Sequence, residues 1–146
     1  MRVTVLNGPN LNLLGTREPE IYGRATLAQI EELTRGRAAA LRVTLIWHQT
    51  NHEGQLVELV QALPGGADGA LINAAALTHT SIALRDALLA VRVPFVEIHL
   101  TNILARDAAR RQSVLADLAV GIVAGFGPRS YVLGLDALVE HLRAGD

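Results

Sequence analysis

The sequence contains neither cysteine nor lysine, and these two absences exclude several kinds of chemistry. The chain has 146 residues and a formal net charge of −1, and all 13 of its basic residues are arginine. Without cysteine it cannot form disulfide bonds, present a thiolate nucleophile or hold zinc or an iron–sulfur cluster through sulfur. Without lysine it cannot form a Schiff base, anchor pyridoxal phosphate or supply the lysine of a P-loop.

Aromatic residues, excess charge and long apolar runs are also scarce. The chain has 2 Phe, 2 Tyr and 1 Trp, so its 50% hydrophobic residues predict a mainly aliphatic core. A near-neutral charge argues against nucleic-acid binding, and no apolar run approaches the roughly 18–20 residues of a membrane span. The first residues lack the parts of a signal peptide. We therefore expect one cytoplasmic catalytic domain over residues 1–146 with no nucleic-acid or membrane partner.

Short apolar runs alternate with segments of helical periodicity. Strands are predicted at 3–6, 43–47, 70–72, 94–100 and 120–124, and helices from about 26 and at 55–63, 81–91, 106–115 and 135–142. Five apolar strands separated by helices indicate an α/β fold with a five-stranded parallel sheet covered on both faces. Right-handed crossovers then predict a doubly wound, flavodoxin-like three-layer sandwich. The Asn-, Gly- and Pro-rich residues 10–24 are long enough for a lid loop.

Polar side chains follow four of the predicted strands. The carboxyl ends of parallel strands meet at one edge of the sheet, where ligands bind in such folds. One shared site therefore explains the clustering better than scatter does. The polar residues concerned are Asn7, Asn10, Arg17, Tyr22, His48, His52, Asn73, His79, Glu97 and His99.

Some of these residues also have a purely structural explanation. Asn7 and Asn10 could close turns through bonds from side chain to backbone. Glu97 and His99 lie two apart on one strand and so face the same side, where a carboxylate can orient an imidazole and support its protonated form. Equally, the two side chains could be a structural pair whose hydrogen bonds satisfy each other and serve no catalytic role.

Other patterns point away from particular sites. Arg106 and Arg110 share one face of the predicted helix, a spacing that is often a solvated face. His48 and His52 lie four apart but lack a carboxylate at a recognised metal spacing, so no metal site is expected. No dinucleotide-binding, Walker or GxSxG motif occurs.

Spaced motifs in a fixed order resemble those of the type II 3-dehydroquinate dehydratases over essentially the whole chain. They are NGPNLNLLG at 7–15, REP at 17–19, YG at 22–23, QTNHEG at 49–54, THTS at 78–81, EIHLTN at 97–102 and GFG at 125–127. The resemblance implies a shikimate-pathway lyase that converts 3-dehydroquinate to 3-dehydroshikimate by anti elimination through an enolate. It further implies a homododecamer of four trimers that uses neither metal nor organic cofactor.

The resemblance also assigns catalytic roles. Tyr22 corresponds to the base, with Arg17 and Arg106 as its cationic neighbours. Lowering a tyrosine pKa from about 10 to about 7 requires about 4 kcal/mol of interaction energy, which positive neighbours can supply. An unrelated type I family performs the same dehydration through a lysine Schiff base, which this chain cannot form. The remaining catalytic matches are Asn10 for a water on the enolate oxygen, His99 for the general acid and Glu97 for its orientation.

The same resemblance assigns substrate-binding residues. Asn73, His79 and Arg110 correspond to groups that bind the substrate hydroxyls. The backbone N–H groups of Leu100 and Thr101 correspond to the carboxylate site. A further match, Asp86, corresponds to a residue that reaches the site from a neighbouring subunit.

One departure from the family pattern concerns the segment after Asn73. Residues 74–76 are all alanine where the family usually carries a glycine, so extra Cβ atoms could narrow the pocket or shift its backbone. This run leaves open a catalytically silent module that binds a small polar acid. A flavin or phosphate-binding electron carrier of the same fold is the other alternative. The chain has no phosphate loop and few aromatic residues to stack on a flavin, and both facts count against it.

Overall fold

Five parallel strands form the central sheet in the computed structural model, which describes residues 1–16 and 18–145 and, of Tyr22, only the backbone. The strands lie in the order β2-β1-β3-β4-β5. This arrangement confirms the predicted five-stranded parallel sheet. The bounds are β1 Arg2–Asn7, β2 Thr44–Gln49, β3 Gly69–Asn73, β4 Phe95–His99 and β5 Gly121–Ala124.

Helices cover both faces of the sheet, which confirms the doubly wound, flavodoxin-like three-layer arrangement. They are α1 Pro19–Tyr22, α2 Leu27–Ala40, α3 Glu53–Gln61, α4 Ile82–Val91 and α5 Arg129–Ala144. Helices α2 and α5 pack over aliphatic side chains such as Val5 and Ile98. Helices α3 and α4 pack over the opposite face, with Leu6 and Ile72. Alternate residues of each strand therefore enter separate halves of the core.

Local sequence signals explain where two of the helices begin. Thr26 and Gln29 form a reciprocal capping box at the start of α2. The Ser81 hydroxyl accepts a hydrogen bond from the backbone N–H of Leu84 at the start of α4, at 3.0 Å. Serine at this position therefore ends the loop that follows β3 and fixes the orientation of α4.

Close approach between α5 and the sheet depends on Gly134. A Cβ atom at this position would lie 2.2 Å from the Cδ1 atom of Ile98. The absent side chain lets the helix axis come near β4, so that Tyr131 on the same helix reaches the ends of the central strands.

The predicted helix over 106–115 is wrong. Among the described residues, this region contains only a 3-10 turn at Ala108–Arg110, and a second 3-10 turn at Ile103–Ala105 precedes it. The backbone N–H of Val114 instead donates to the carbonyl of Thr78 at 2.8 Å, and the hydroxyl of Ser113 accepts from the N–H groups of Leu115 and Ala116 at 3.1 Å. These hydrogen bonds satisfy backbone N–H groups that an α-helix would have paired with its own carbonyl groups.

The loop after β1 is partly ordered into short elements. Leu11–Leu13 form a 3-10 turn, and α1 is a single helical turn near the end of the loop. Within residues 1–16 and 18–145, no helix is both long enough and apolar enough to cross a membrane.

Candidate active site

A cavity of about 140 Å³ opens at the carboxyl ends of β1, β3 and β4. At this edge the strand order reverses between β1 and β3, the usual place for a ligand in such a sheet. Its described lining contains two arginines and two histidines but no acidic side chain, so it suits an anionic ligand. The predicted residues that it brings together are Asn10, Asn73, His79, His99, Leu100, Thr101, Arg106 and Arg110.

His99 is held at the cavity wall by a buried carboxylate. Its Nε2 atom lies 3.0 Å from Oε1 of Glu97, and the two side chains are 6% and 0% exposed. Alternation along β4 directs both side chains to the same face, as expected from their spacing. Because the Nε2–H group is used by Glu97, the other ring nitrogen, Nδ1, is left for a ligand.

Glu97 receives two further hydrogen bonds on the same oxygen. The hydroxyls of Thr78 and Ser113 donate to Oε1 at 3.0 and 2.6 Å. Burial alone would raise the pKa of the Glu97 carboxyl, but the hydrogen bonds from His99, Ser113 and Thr78, together with the charge of His99, lower it on balance. Its Oε2 atom has no hydrogen-bond partner in the part of the chain that the structure describes. Glu97 is thus kept ionised behind the imidazole.

The other three basic residues of the described cavity lining also have defined contacts. The Nδ1–H group of His79 donates to the backbone carbonyl of Gln112 at 2.6 Å, which sets the orientation of its ring. Arg110 pairs with Asp107 at 2.8 Å. The backbone carbonyl of Arg106 accepts from Nε of Arg111 at 2.6 Å. Arg106 and Arg110 therefore reach one cavity from separate 3-10 turns rather than from one helix face.

Asn10 is positioned through its backbone. It adopts a left-handed conformation (φ 69°) that asparagine tolerates well, and its side chain makes no capping bond to the following turn. Its N–H group donates to Oδ1 of Asn51 at 2.9 Å. The backbone of Asn10 is thus fixed by Asn51, while the residue lines the cavity.

Asn7 has a structural role instead. Its amide donates to the carbonyl of His48 at 3.0 Å and accepts from the hydroxyl of Tyr131 at 2.6 Å. The same hydroxyl accepts from Nδ2 of Asn73 at 2.9 Å. Burial raises the pKa of Tyr131 well above its usual value, and the bond from Asn73 offsets only part of this effect. A neutral phenol thus connects the ends of β1 and β3 to α5.

The alanine run lies directly in the cavity wall. Ala75 and Ala76 line the cavity, and Ala75 has a left-handed backbone (φ 53°) that favours glycine. Ala74 is fully buried, and its carbonyl oxygen would lie 2.4 Å from a Cβ atom added at Gly8. The run therefore constrains the backbone here, and Gly8 is required for the close approach of the two loops.

Four predicted site residues lie elsewhere or outside the described structure. Asp86 is exposed on α4 and does not line the cavity, and Glu97 lies behind His99. Arg17 and the side chain of Tyr22 are outside the described residues. No group of three or more His, Asp or Glu side chains within the described ranges is placed to hold a metal ion.

Sequence reasoning missed two kinds of residue at the site. The apolar part of the wall comes from Leu11, Leu14 and Ile103, which the sequence alone does not distinguish from core residues. Thr78 and Ser113 were missed as partners of Glu97. The polar THTS segment after the third strand was a usable signal for Thr78, whereas the helical interpretation of 106–115 concealed Ser113.

Comparisons with known proteins agree with this geometry. The family model described as Dehydroquinase class II matches residues 1–139. The chain is 58% identical over 143 residues to a 3-dehydroquinate dehydratase of Synechococcus sp. (strain WH7803), covering 98% of this chain and 97% of the relative. It is 51% identical over 146 residues to one from Dinoroseobacter shibae, covering 100% and 97%.

Solved structures show the same similarity in three dimensions. A type II dehydroquinase from Butyrivibrio crossotus superposes with a TM-score of 0.92 at 35% identity, covering 94% of this chain and 97% of the other. One from Propionibacterium acnes gives a TM-score of 0.90 at 34% identity, covering 95% and 96%.

Proposed function

Because this chain belongs to the class II dehydroquinase family, a shikimate-pathway family of 3-dehydroquinate dehydratases, we propose a mechanism that uses Tyr22 as base and His99 as general acid. The enzyme is a hydro-lyase that acts on 3-dehydroquinate. In the proposed reaction, Tyr22 removes the proton beside the ketone, an enolate forms, and His99 protonates the hydroxyl that leaves as water. The elimination is anti, so the two residues act on opposite faces of the ring.

The observation that carries the proposal is the Glu97–His99 pair at the cavity wall. A general acid needs an acidic proton at the reacting group and a fixed orientation. Glu97 accepts the Nε2–H hydrogen bond at 3.0 Å, which orients the ring and supports a positive charge on it. His99 then donates from Nδ1 into the cavity, and Glu97 holds the imidazole in place during the transfer.

Assignment of the base to Tyr22 is supported by exclusion of the other tyrosine. The chain contains 2 Tyr residues, and Tyr131 is fully buried with a raised pKa. Tyr131 already donates its proton to Asn7 at 2.6 Å, so it cannot act as a base. Tyr22 is the remaining phenol, and we propose that Arg17 and Arg106 lower its pKa. Arginine suits this role because it stays protonated and does not compete for the proton.

Further residues of the cavity are proposed to bind the substrate and stabilise the enolate. The side-chain amide of Asn10 holds a water against the developing enolate oxygen, a kind of charge stabilisation that is often a large catalytic contribution. Asn73, His79 and Arg110 bind the hydroxyls, and the backbone N–H groups of Leu100 and Thr101 bind the carboxylate. Residues 10–24 act as a lid. The described lining is positive and contains no acidic side chain, which supports binding of an anion.

Asp86 is proposed to complete the site of a neighbouring subunit in a trimer, four of which form the dodecamer. Its own cavity does not include it, because it lies exposed on α4. Ile82 and Leu89, 57% and 48% exposed, lie on the same face of this helix. An exposed apolar face around an acidic residue supports contact with a second copy of the chain.

The test is turnover of 3-dehydroquinate, followed by the absorbance of the enone product. We expect Tyr22→Phe and His99→Ala each to lose at least about 100-fold in kcat, because each removes a proton-transfer group. His141→Ala, an exposed histidine of α5, is the matched control and should retain full activity. Full activity of folded Tyr22→Phe would eliminate Tyr22 as the base, and full activity of folded His99→Ala would eliminate His99 as the acid.

A further inference from the structure

We propose that Thr78 and Ser113 are positioning residues for the general acid, acting through Glu97 on His99. The proposal rests on the proposed function, since it concerns the same proton-transfer pair. Neither residue lines the cavity, and among the described residues the hydroxyl of each donates to Glu97 rather than to His99. Their hydroxyls instead donate to the carboxylate on which His99 depends.

Three donors from three parts of the chain converge on one oxygen. Oε1 of Glu97 accepts from Thr78 at 3.0 Å, from Ser113 at 2.6 Å and from His99 at 3.0 Å. Thr78 follows β3, Ser113 lies in the segment before β5, and His99 ends β4. The two hydroxyls therefore hold the carboxylate through segments other than β4. They fix the position of the oxygen that accepts the hydrogen bond from His99.

The two hydroxyl-bearing segments are themselves tied together. The N–H of Val114 donates to the carbonyl of Thr78 at 2.8 Å. The guanidinium of Arg85 donates to the carbonyl of Val114 at 2.9 Å. These contacts fix the backbone of both segments without involving Glu97, so the hydroxyls are carried by a frame that does not depend on the carboxylate.

Burial makes this frame necessary for the charge of Glu97. The side chain is 0% exposed, and an ionised carboxylate without solvent needs hydrogen-bond donors or a positive neighbour. Its neighbours in register, Ile72 of β3 and Ile122 of β5, are apolar. The titratable group that acts on Glu97 is His99, and the other donors are the neutral hydroxyls. Loss of a hydroxyl should therefore make the ionised form of Glu97 less stable relative to the protonated form.

Thr78→Val is the sharpest test, because valine keeps the shape of threonine and removes only the hydroxyl. Thr78 is fully buried, and its side chain donates to Glu97 alone among the described residues. Thr34→Val is the matched control, since Thr34 is also fully buried but donates to the carbonyl of Ile30 within α2, at 2.7 Å. Thr78→Ser restores a hydroxyl, and Ser113→Ala tests the second donor.

We expect Thr78→Val and Ser113→Ala each to lower kcat about tenfold or more, the usual effect of losing a hydrogen bond to a charged group. KM should stay within about twofold, because neither residue lines the cavity. In the pH profile of kcat/KM, each variant should show an additional loss at low pH, since Glu97 would then protonate more easily. Thr34→Val should change neither kcat nor the profile, and Thr78→Ser should recover most of the activity.

A double variant separates this inference from the proposed mechanism. If Thr78 acts through His99, then adding Thr78→Val to His99→Ala should cause little further loss of kcat. An undiminished tenfold loss in that background would overturn the inference. The inference would also be overturned if Thr78→Val and Ser113→Ala, like Thr34→Val, left kcat and the pH profile unchanged while His99→Ala was inactive. Full activity of His99→Ala would instead overturn the acid role itself. If Thr78→Val does not fold, Ser113→Ala is tested in its place, alone and combined with His99→Ala.

Discussion

Ala75 adopts a left-handed backbone conformation in the cavity wall, with φ of 53°. This conformation costs an L-residue with a Cβ atom roughly 1–2 kcal/mol, a cost that glycine avoids. We therefore expect Ala75→Gly to raise the free energy of unfolding by about 1 kcal/mol, net of the greater backbone entropy of glycine. Chemical denaturation with a constant m-value measures this change.

Ala76→Gly is the control for the effect at Ala75. Ala76 belongs to the same 3-10 turn, Ala75–His79, without a positive φ. Glycine there should lower the free energy of unfolding by about 0.5–1 kcal/mol through backbone entropy. Opposite signs at adjacent alanines are the diagnostic result, and equal destabilisation at both positions would contradict the assigned strain.

The strand pattern alone predicted the polar residues only as a group, whereas the family resemblance named individual ones. The four histidines at the predicted strand ends are His48, His52, His79 and His99, yet only His79 and His99 line the cavity. The difference lies in the strand order, since β2 is the outer strand and the cavity forms beside β1, β3 and β4. Position at a strand end does not separate His48 from His99, because lateral strand order is a property of the whole sheet.

Helix α5 is tied to the sheet by the hydroxyl of Tyr131. Tyr131→Phe would leave Oδ1 of Asn7 and one N–H of Asn73 without their present partner. Because unpaired buried polar groups cost about 1–3 kcal/mol, we expect the free energy of unfolding to fall by that amount. The ring contact with Trp47, at 5.6 Å between centroids, should remain. Thermal and chemical unfolding both measure the change.

Tyr131→Leu separates the contribution of the ring from that of the hydroxyl. Leucine removes the contact with Trp47 in addition to both hydrogen bonds, so it should destabilise the protein more than phenylalanine does. A Tyr131→Phe variant as stable as the parent would show that the amides of Asn7 and Asn73 find other partners.

Whole elements were predictable where burial alone decides them. Strands such as β3, whose residues are all buried, produce continuous apolar runs that can be recognised directly. The segment at 106–115 has alanine and arginine at helical spacing, but its structure depends on Thr78, Glu97 and His79, which are distant in sequence. The sheet could thus be predicted in number and direction of strands, whereas the loop that holds Ser113 could not.

The exposed apolar residues of the described chain include some on α4 and one on the edge strand β5. Ile82 and Leu89 of α4 are 57% and 48% exposed, and Ile122 of the edge strand β5 is 48% exposed. Such residues at one helix face and one sheet edge are expected at contacts between copies. On α4, Asp86 lies between Ile82 and Leu89. A contact that covers this helix face would therefore bring the Asp86 carboxylate to another subunit.

Mixed oligomers test this arrangement directly. Asp86→Ala and His99→Ala homo-oligomers should both be weakly active, because each lacks one group at every site. In a cyclic trimer made from both chains, an Asp86→Ala subunit keeps His99 and receives Asp86 from a His99→Ala neighbour. Random assortment of equal amounts restores both groups at about a quarter of the sites. We therefore expect co-refolded or co-expressed mixtures to recover up to about a quarter of the parent activity. If Asp86 instead served the cavity of its own chain, no mixture could contain an intact site, and mixing would add nothing to the activity of the separate variants.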